Sequence, residues 1–108
     1  MNTINPTADM QYHIELASAL ERLEQNEDFK MLILEGYIKD EAVRCVGLLA
    51  NDQIKRINAR PDVMEDLIAI SSLQDYFIKV KNYGDAASAD LLELESEGRE
   101  SLPLVEGE

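Results

Sequence analysis

The chain has 108 residues, of which 45% are apolar, and its 22 acidic and 10 basic side chains leave a formal net charge of −12. That length admits one domain at most, and the apolar fraction excludes a chain that is disordered throughout. The charge argues against direct binding to nucleic acid or to an anionic membrane, because both demand a positive face.

The charge is unevenly placed. Residues 1–28 carry −5 and residues 85–108 carry −7, whereas residues 29–60 carry +2 and residues 61–84 carry −2. Two acidic ends flank a mildly basic, strongly apolar middle, a balance that favours solubility and a basic partner surface. The segment Met1-Asn2-Thr3-Ile4-Asn5-Pro6 lacks the basic and apolar regions of a signal peptide. No uninterrupted apolar run exceeds four residues, as at Met31 to Leu34, so no membrane span is expected. Cys45 is the sole cysteine, which rules out an intramolecular disulfide and fits a reducing compartment. Its apolar neighbours suggest a buried structural thiol.

The elements read as four or five helices without a strand. Thr7 is the expected N-cap of the first, with Asp9 in the first turn. Ile14, Leu16, Ala17, Leu20 and Leu23 recur at helical spacing to about Gln25. Asn26, followed by Glu27 and Asp28, starts a second helix. Its residues Phe29, Leu32, Ile33, Met31, Leu34 and Ile38 are apolar nearly all round, the mark of a helix buried on more than one side. Gly36 is its C-cap or a close-packing point. Asp40 caps a third helix whose stripe is Val43, Val46, Gly47 and Ala50, widened by Leu49, Cys45 and Ala42, and Asn51-Asp52 stops it. Residues 52–60 form a basic connector. A fourth helix follows Arg60-Pro61-Asp62, with proline at the first helical position. Met64, Leu67, Ile68, Ile70, Ser71, Leu73, Phe77 and Val80 make its broad apolar face, and Tyr83-Gly84 ends it. Asp85 caps a short fifth helix with Ala87, Leu91 and Leu94 as its stripe, and Gly98 stops it. Residues 1–98 then make a single helical domain, and 99–108 a flexible acidic tail.

No catalytic constellation emerges. His13 is the sole histidine, far in sequence from the hydroxyl pair Ser71-Ser72 and from Cys45, so nucleophilic catalysis lacks a positioned base. The two serines read as small residues that allow close helix packing. Zinc or di-iron ligand patterns are absent, as is a glycine-rich phosphate loop. No enzyme activity, cofactor or metal is expected. Lys55, Arg56 and Arg60 could hold an anion, or pair with the acidic ends of this chain or of a neighbouring subunit.

The stretch 20–49 carries Asn26-Glu27-Asp28-Phe29, Glu35-Gly36-Tyr37 and Glu41-Ala42-Val43-Arg44. Further on stand Glu65-Asp66-Leu67, Tyr76-Phe77 and Tyr83-Gly84-Asp85. Across about two-thirds of the chain these helix-packing patterns resemble a type of small acidic helical protein encoded among the head and packaging genes of tailed bacteriophages. The resemblance implies a phage origin and a virion or assembly role, located in the virion or the host cytoplasm. It carries no functional residues with it.

The expectation is an all-α fold, a small helical bundle built round a hairpin of the second and third helices and closed by the long helix 62–82. The expected function is non-enzymatic: a phage structural or assembly protein acting through helix contacts with a larger particle component or with copies of itself. Phe29, Ile33, Tyr37, Ile38, Tyr76 and Phe77 are its expected apolar anchors, because aromatic residues dominate interface energetics. Lys55, Arg56 and Arg60 are its anion-facing patch. The competing expectation is an acidic phage inhibitor of a host protein that presents carboxylates at phosphate-like spacing.

Overall fold

The computed structural model describes residues 6–101, and the regular structure among them is entirely helical. Helix α1 spans Pro6–Glu24. Helix α2 runs without interruption from 27 to 49, through an α-helical turn Glu27–Phe29, a π-helical stretch Lys30–Glu41 and an α-helical stretch Ala42–Leu49. Helix α3 spans Asp52–Arg56, and α4 spans Arg60–Ser101. The protein is a small all-α bundle of four helices.

Three contacts set the arrangement. Lys81 Nζ lies 2.9 Å from a Glu24 carboxylate oxygen. The rings of Phe29 and Phe77 meet edge-on with centroids 5.9 Å apart. Arg60 Nε donates to the Leu49 carbonyl at 2.9 Å. Residues 24, 29 and 49 therefore stand beside 81, 77 and 60, so α1 and α2 both run antiparallel to α4. Together they form one arm of a long hairpin, α4 forms the other, and α3 closes the end. At 1.5 Å per residue, the 42 residues of α4 reach about 63 Å. The molecule measures 82 × 36 × 22 Å with a radius of gyration of 22.2 Å, against about 13 Å for a compact domain of this length.

The seam between α1 and α4 follows from sequence spacing. On α4 the buried and half-buried positions Ile70, Leu73, Phe77, Val80, Gly84, Ala87 and Leu91 alternate three- and four-residue steps. On α1, Met10, His13, Ala17, Leu20 and Glu24 do the same. Two such stripes facing one another make the knobs-into-holes geometry of a coiled coil.

The predicted stop at Tyr83-Gly84 is thus incorrect, and so is the separate fifth helix capped by Asp85. A Cβ on Gly84 would lie 2.3 Å from the Ala17 Cβ. The glycine serves close approach of two helices inside a continuous helix. Gly98 does not stop α4 either, since the helix runs on to Ser101. The part of the predicted acidic tail beyond it, 102–108, lies outside the described residues. The helix likewise extends through Thr7, the predicted cap, from Pro6.

The second correction concerns the predicted central hairpin. Asp40 caps nothing, because the chain passes through it in helical conformation. A π-helix closes i→i+5 hydrogen bonds and turns about once per 4.4 residues. That wider pitch gathers Phe29, Ile33 and Ile38 into one stripe, and all three are half-buried. Gly36 lies in the middle of this stretch, and a Cβ there would sit 2.8 Å from the Met31 carbonyl oxygen. Glycine relieves a clash with the helix's own wall. Leaving the π stretch, the helix points Ala42, Cys45, Leu48 and Leu49 toward α4, with Cys45 fully buried. Of the predicted stripe, Val43, Val46, Gly47 and Ala50 are exposed, and only its widening residues Ala42, Cys45 and Leu49 face inward.

The signals at the ends of α2 and α3 are local. Asn26 Oδ1 accepts from the Phe29 N–H at 2.9 Å, and Asn51 Oδ1 accepts from Gln53 and Ile54 N–H at 2.9 and 3.2 Å. The basic connector contains α3, which closes with Asn58 at φ 57. The Ala59 N–H donates to the Ile54 carbonyl and the Asn58 N–H to the Lys55 carbonyl, a Schellman closure with asparagine in the left-handed position.

Candidate functional site

Six apolar side chains are buried among the described residues: Leu20, Cys45, Val63, Ile70, Val80 and Ala87. Fourteen large hydrophobic side chains are exposed. Scattered single exposures are ordinary on a protein surface, whereas contiguous ones mark contact surfaces.

The predicted anchors divide. Phe29 and Phe77 pack on each other, and Ile33, Tyr37 and Ile38 are half-buried on α2. Tyr76 alone among the six is mostly exposed, at 53%, with its ring 6.2 Å from that of Phe77. The basic residues sit together at the closed end of the hairpin, all exposed. Arg60 is committed to the carbonyl end of α2 through Leu49. Lys55 and Arg56 occupy the last turn of α3, where the helix dipole favours cations.

Two grooves run along the α1–α4 pair, on opposite sides of the seam. One, of about 420 Å³, is lined by Ser18, Glu21, Asp85 and Ser88 and by the Glu24–Lys81 ion pair. The other, of about 400 Å³, is lined by Met10, His13, Tyr83, Ala86 and Ala87, with Asp9 and Asp90 at its margin. Here the His13 ring makes edge contacts with Tyr12 and Tyr83, at centroid distances of 5.4 and 5.5 Å. Its Nε2 lies 3.7 Å from Asp9.

Charged pairs elsewhere lie on the surface. Arg44 grips Glu41 through two hydrogen bonds, which hold the Glu41 carboxyl below its ordinary pKa and raise that of Arg44. Lys79 is raised by its bond to Asp75, 3.0 Å away. These are surface pairs of small energetic weight. The Cys45 thiol is sealed inside. Ser71 and Ser72 are exposed, so the predicted close-packing role belongs to Gly84 and Ala17 instead. Among the described residues no group of three or more His, Cys, Asp or Glu side chains is placed to hold a metal ion. No helix there is long and apolar enough to cross a membrane.

Comparison with protein families, characterised proteins and solved structures yields no match to this chain.

Sequence reasoning missed the aromatic flank at Tyr12, His13 and Tyr83. Its signal was present: Tyr76 and Tyr83 stand seven residues apart, two turns along one side of a helix. Splitting α4 at Gly84 hid that relation.

Proposed function

We propose that this protein is a non-enzymatic assembly component that works by docking helix faces onto other protein surfaces. The observation that carries this reading is the shape. An elongated molecule, 82 Å long, that among its described residues buries six apolar side chains and exposes fourteen large ones has more apolar surface than its own fold covers. Two-helix hairpins bury one seam each, and a helix apolar beyond that seam needs another neighbour. Together with the sequence resemblance described above, this supports a role in a tailed-phage particle or in its assembly.

Quantitative mass spectrometry of purified particles and assembly intermediates of the encoding phage tests the role. A fixed copy number in either is expected. Absence from both, with salt-sensitive binding to a basic host protein, overturns it in favour of an acidic inhibitor.

A further inference from the structure

We infer that α2 is a two-state element: its stretch Lys30–Glu41 converts between the π phase described above and an α phase, and the conversion exchanges which of two apolar stripes faces α4. This motion within one chain is independent of the docking reading.

The chain carries both stripes. The one in use runs through Phe29, Ile33, Ile38, Ala42, Cys45 and Leu49, each buried or half-buried. The other is the predicted stripe Val43, Val46, Gly47 and Ala50, which an unbroken α-helix continues back through Gly36 and Leu32. Its large members are turned to solvent, with Leu32 65% exposed, Val43 68% and Val46 58%. Single exposed apolar side chains are ordinary, but these three fall in register on one face when the helix runs as α from end to end.

The angular arithmetic links the stripes. An α-helix advances about 100° per residue and a π-helix about 82°. Across the 12 residues Lys30–Glu41 the difference accumulates to roughly 220°. Conversion to α therefore rotates Ala42–Leu49 by more than half a turn, which carries Cys45 from α4 to solvent and Val43 from solvent to α4. Phe29 precedes the stretch and Ile33 lies near its start, so both face α4 in either phase.

Local propensity does not choose the π phase. π-Helices occur mostly as single-turn insertions, and Lys30, Met31, Leu32, Leu34 and Glu35 are good α formers. Three features hold the balance instead. Gly36 leaves room where a Cβ would lie 2.8 Å from the Met31 carbonyl oxygen. Arg60 Nε holds the Leu49 carbonyl in its present position. Asp40 is exposed in the π phase, whereas the α phase turns it onto the stripe of Gly36 and Val43, where an unpaired carboxylate is costly to bury. Short breaks in the helix at Gln25-Asn26 and Ala50-Asn51 flank α2 and let it turn without carrying α1 or α4 along. Two packings of one sequence separated by a small free energy make such an element bistable.

Labelling of the full chain by Ellman's reagent in native buffer reads the exchange, because the sole thiol, Cys45, is fully buried in the π phase and exposed in the α phase. Its rate tracks the population of the open form. In the unsubstituted protein the rate is expected to stay flat across low urea, since a change of phase uncovers little surface that was hidden. Asp40→Leu removes the charge from the second stripe and is expected to raise the rate about 10-fold, with no lowering of the urea midpoint. Val43→Asp and Leu32→Asp place a charge on that stripe, and each is expected to slow labelling about 10-fold, although both positions are exposed. A rate indifferent to Val43→Asp and Leu32→Asp overturns the proposal. So does a rate unchanged by Asp40→Leu, or raised by it only together with a lower urea midpoint. A rate in the unsubstituted protein that climbs with urea in step with global unfolding also overturns it.

Discussion

Along the C-terminal half of α4, helix α1 approaches so closely that Gly84 has no room for a side chain beside Ala17. Both helices there repeat at three- and four-residue steps, and the contact is bounded by the Glu24–Lys81 pair. Along the N-terminal half, α2 meets the same helix with a different pitch. Its π-helical stretch Lys30–Glu41 contains no fully buried residue, and Cys45 beyond it is the one side chain of α2 that is fully sealed. One helix, α4, keeps a regular seam throughout, and its two partners answer that seam in two ways. Small residues close the first contact, whereas a changed helical period brings Phe29, Ile33 and Ile38 round to the second.

The largest effects should separate the halves by what fills them. Ile70 is 4% exposed, and Ile70→Ala is expected to cost about 2–4 kcal/mol in urea unfolding at fixed protein concentration. A loss below about 1 kcal/mol would show that the α2 half contributes little to the fold. Next comes the close contact. Gly84→Ala should cost about 1–3 kcal/mol by forcing α1 away from α4, and the double variant with Ala17→Gly should recover part of that loss. No recovery would mean that the two positions do not meet.

The remaining glycines sharpen the contrast within α2. Gly36→Ala meets the Met31 carbonyl and should destabilise by about 1 kcal/mol, with faster amide exchange confined to 30–41. Gly47→Ala meets nothing within 4 Å and should stabilise by about 0.5–1 kcal/mol, because alanine restricts the unfolded chain and favours helix. Equal effects at the two sites would remove the distinction between the π stretch and the α stretch that follows it.

The smallest effect is electrostatic. Glu41 has its pKa lowered by Arg44 in the folded state. Its contribution is therefore present above the unfolded glutamate value and lost as the pH falls through the folded one. Glu41→Gln should flatten the acid limb of the stability curve slightly and leave neutral pH almost unchanged. Lys79 has the opposite sign. Its pKa is raised by Asp75, so its contribution holds below the unfolded lysine value and fades as the pH rises through the folded one.

Some of this was legible in the residues themselves. Helical content followed from periodicity and composition, the starts at Asn26 and Pro61 from capping chemistry, and the burial of Cys45 from its apolar neighbours. Each is a local property, set within a turn or two of chain. Tertiary structure alone decided whether a glycine ends a helix or lets another helix approach. Gly84 carries the same local signal either way, and Ala17, far along the chain, settles it. The phase of α2 was also out of reach, because one π-helical stretch rotates everything after it and turns Val43 and Val46 outward. The seven-residue step from Tyr76 to Tyr83 was written in the chain throughout. It became a surface only when α4 proved continuous and α1 placed His13 against it.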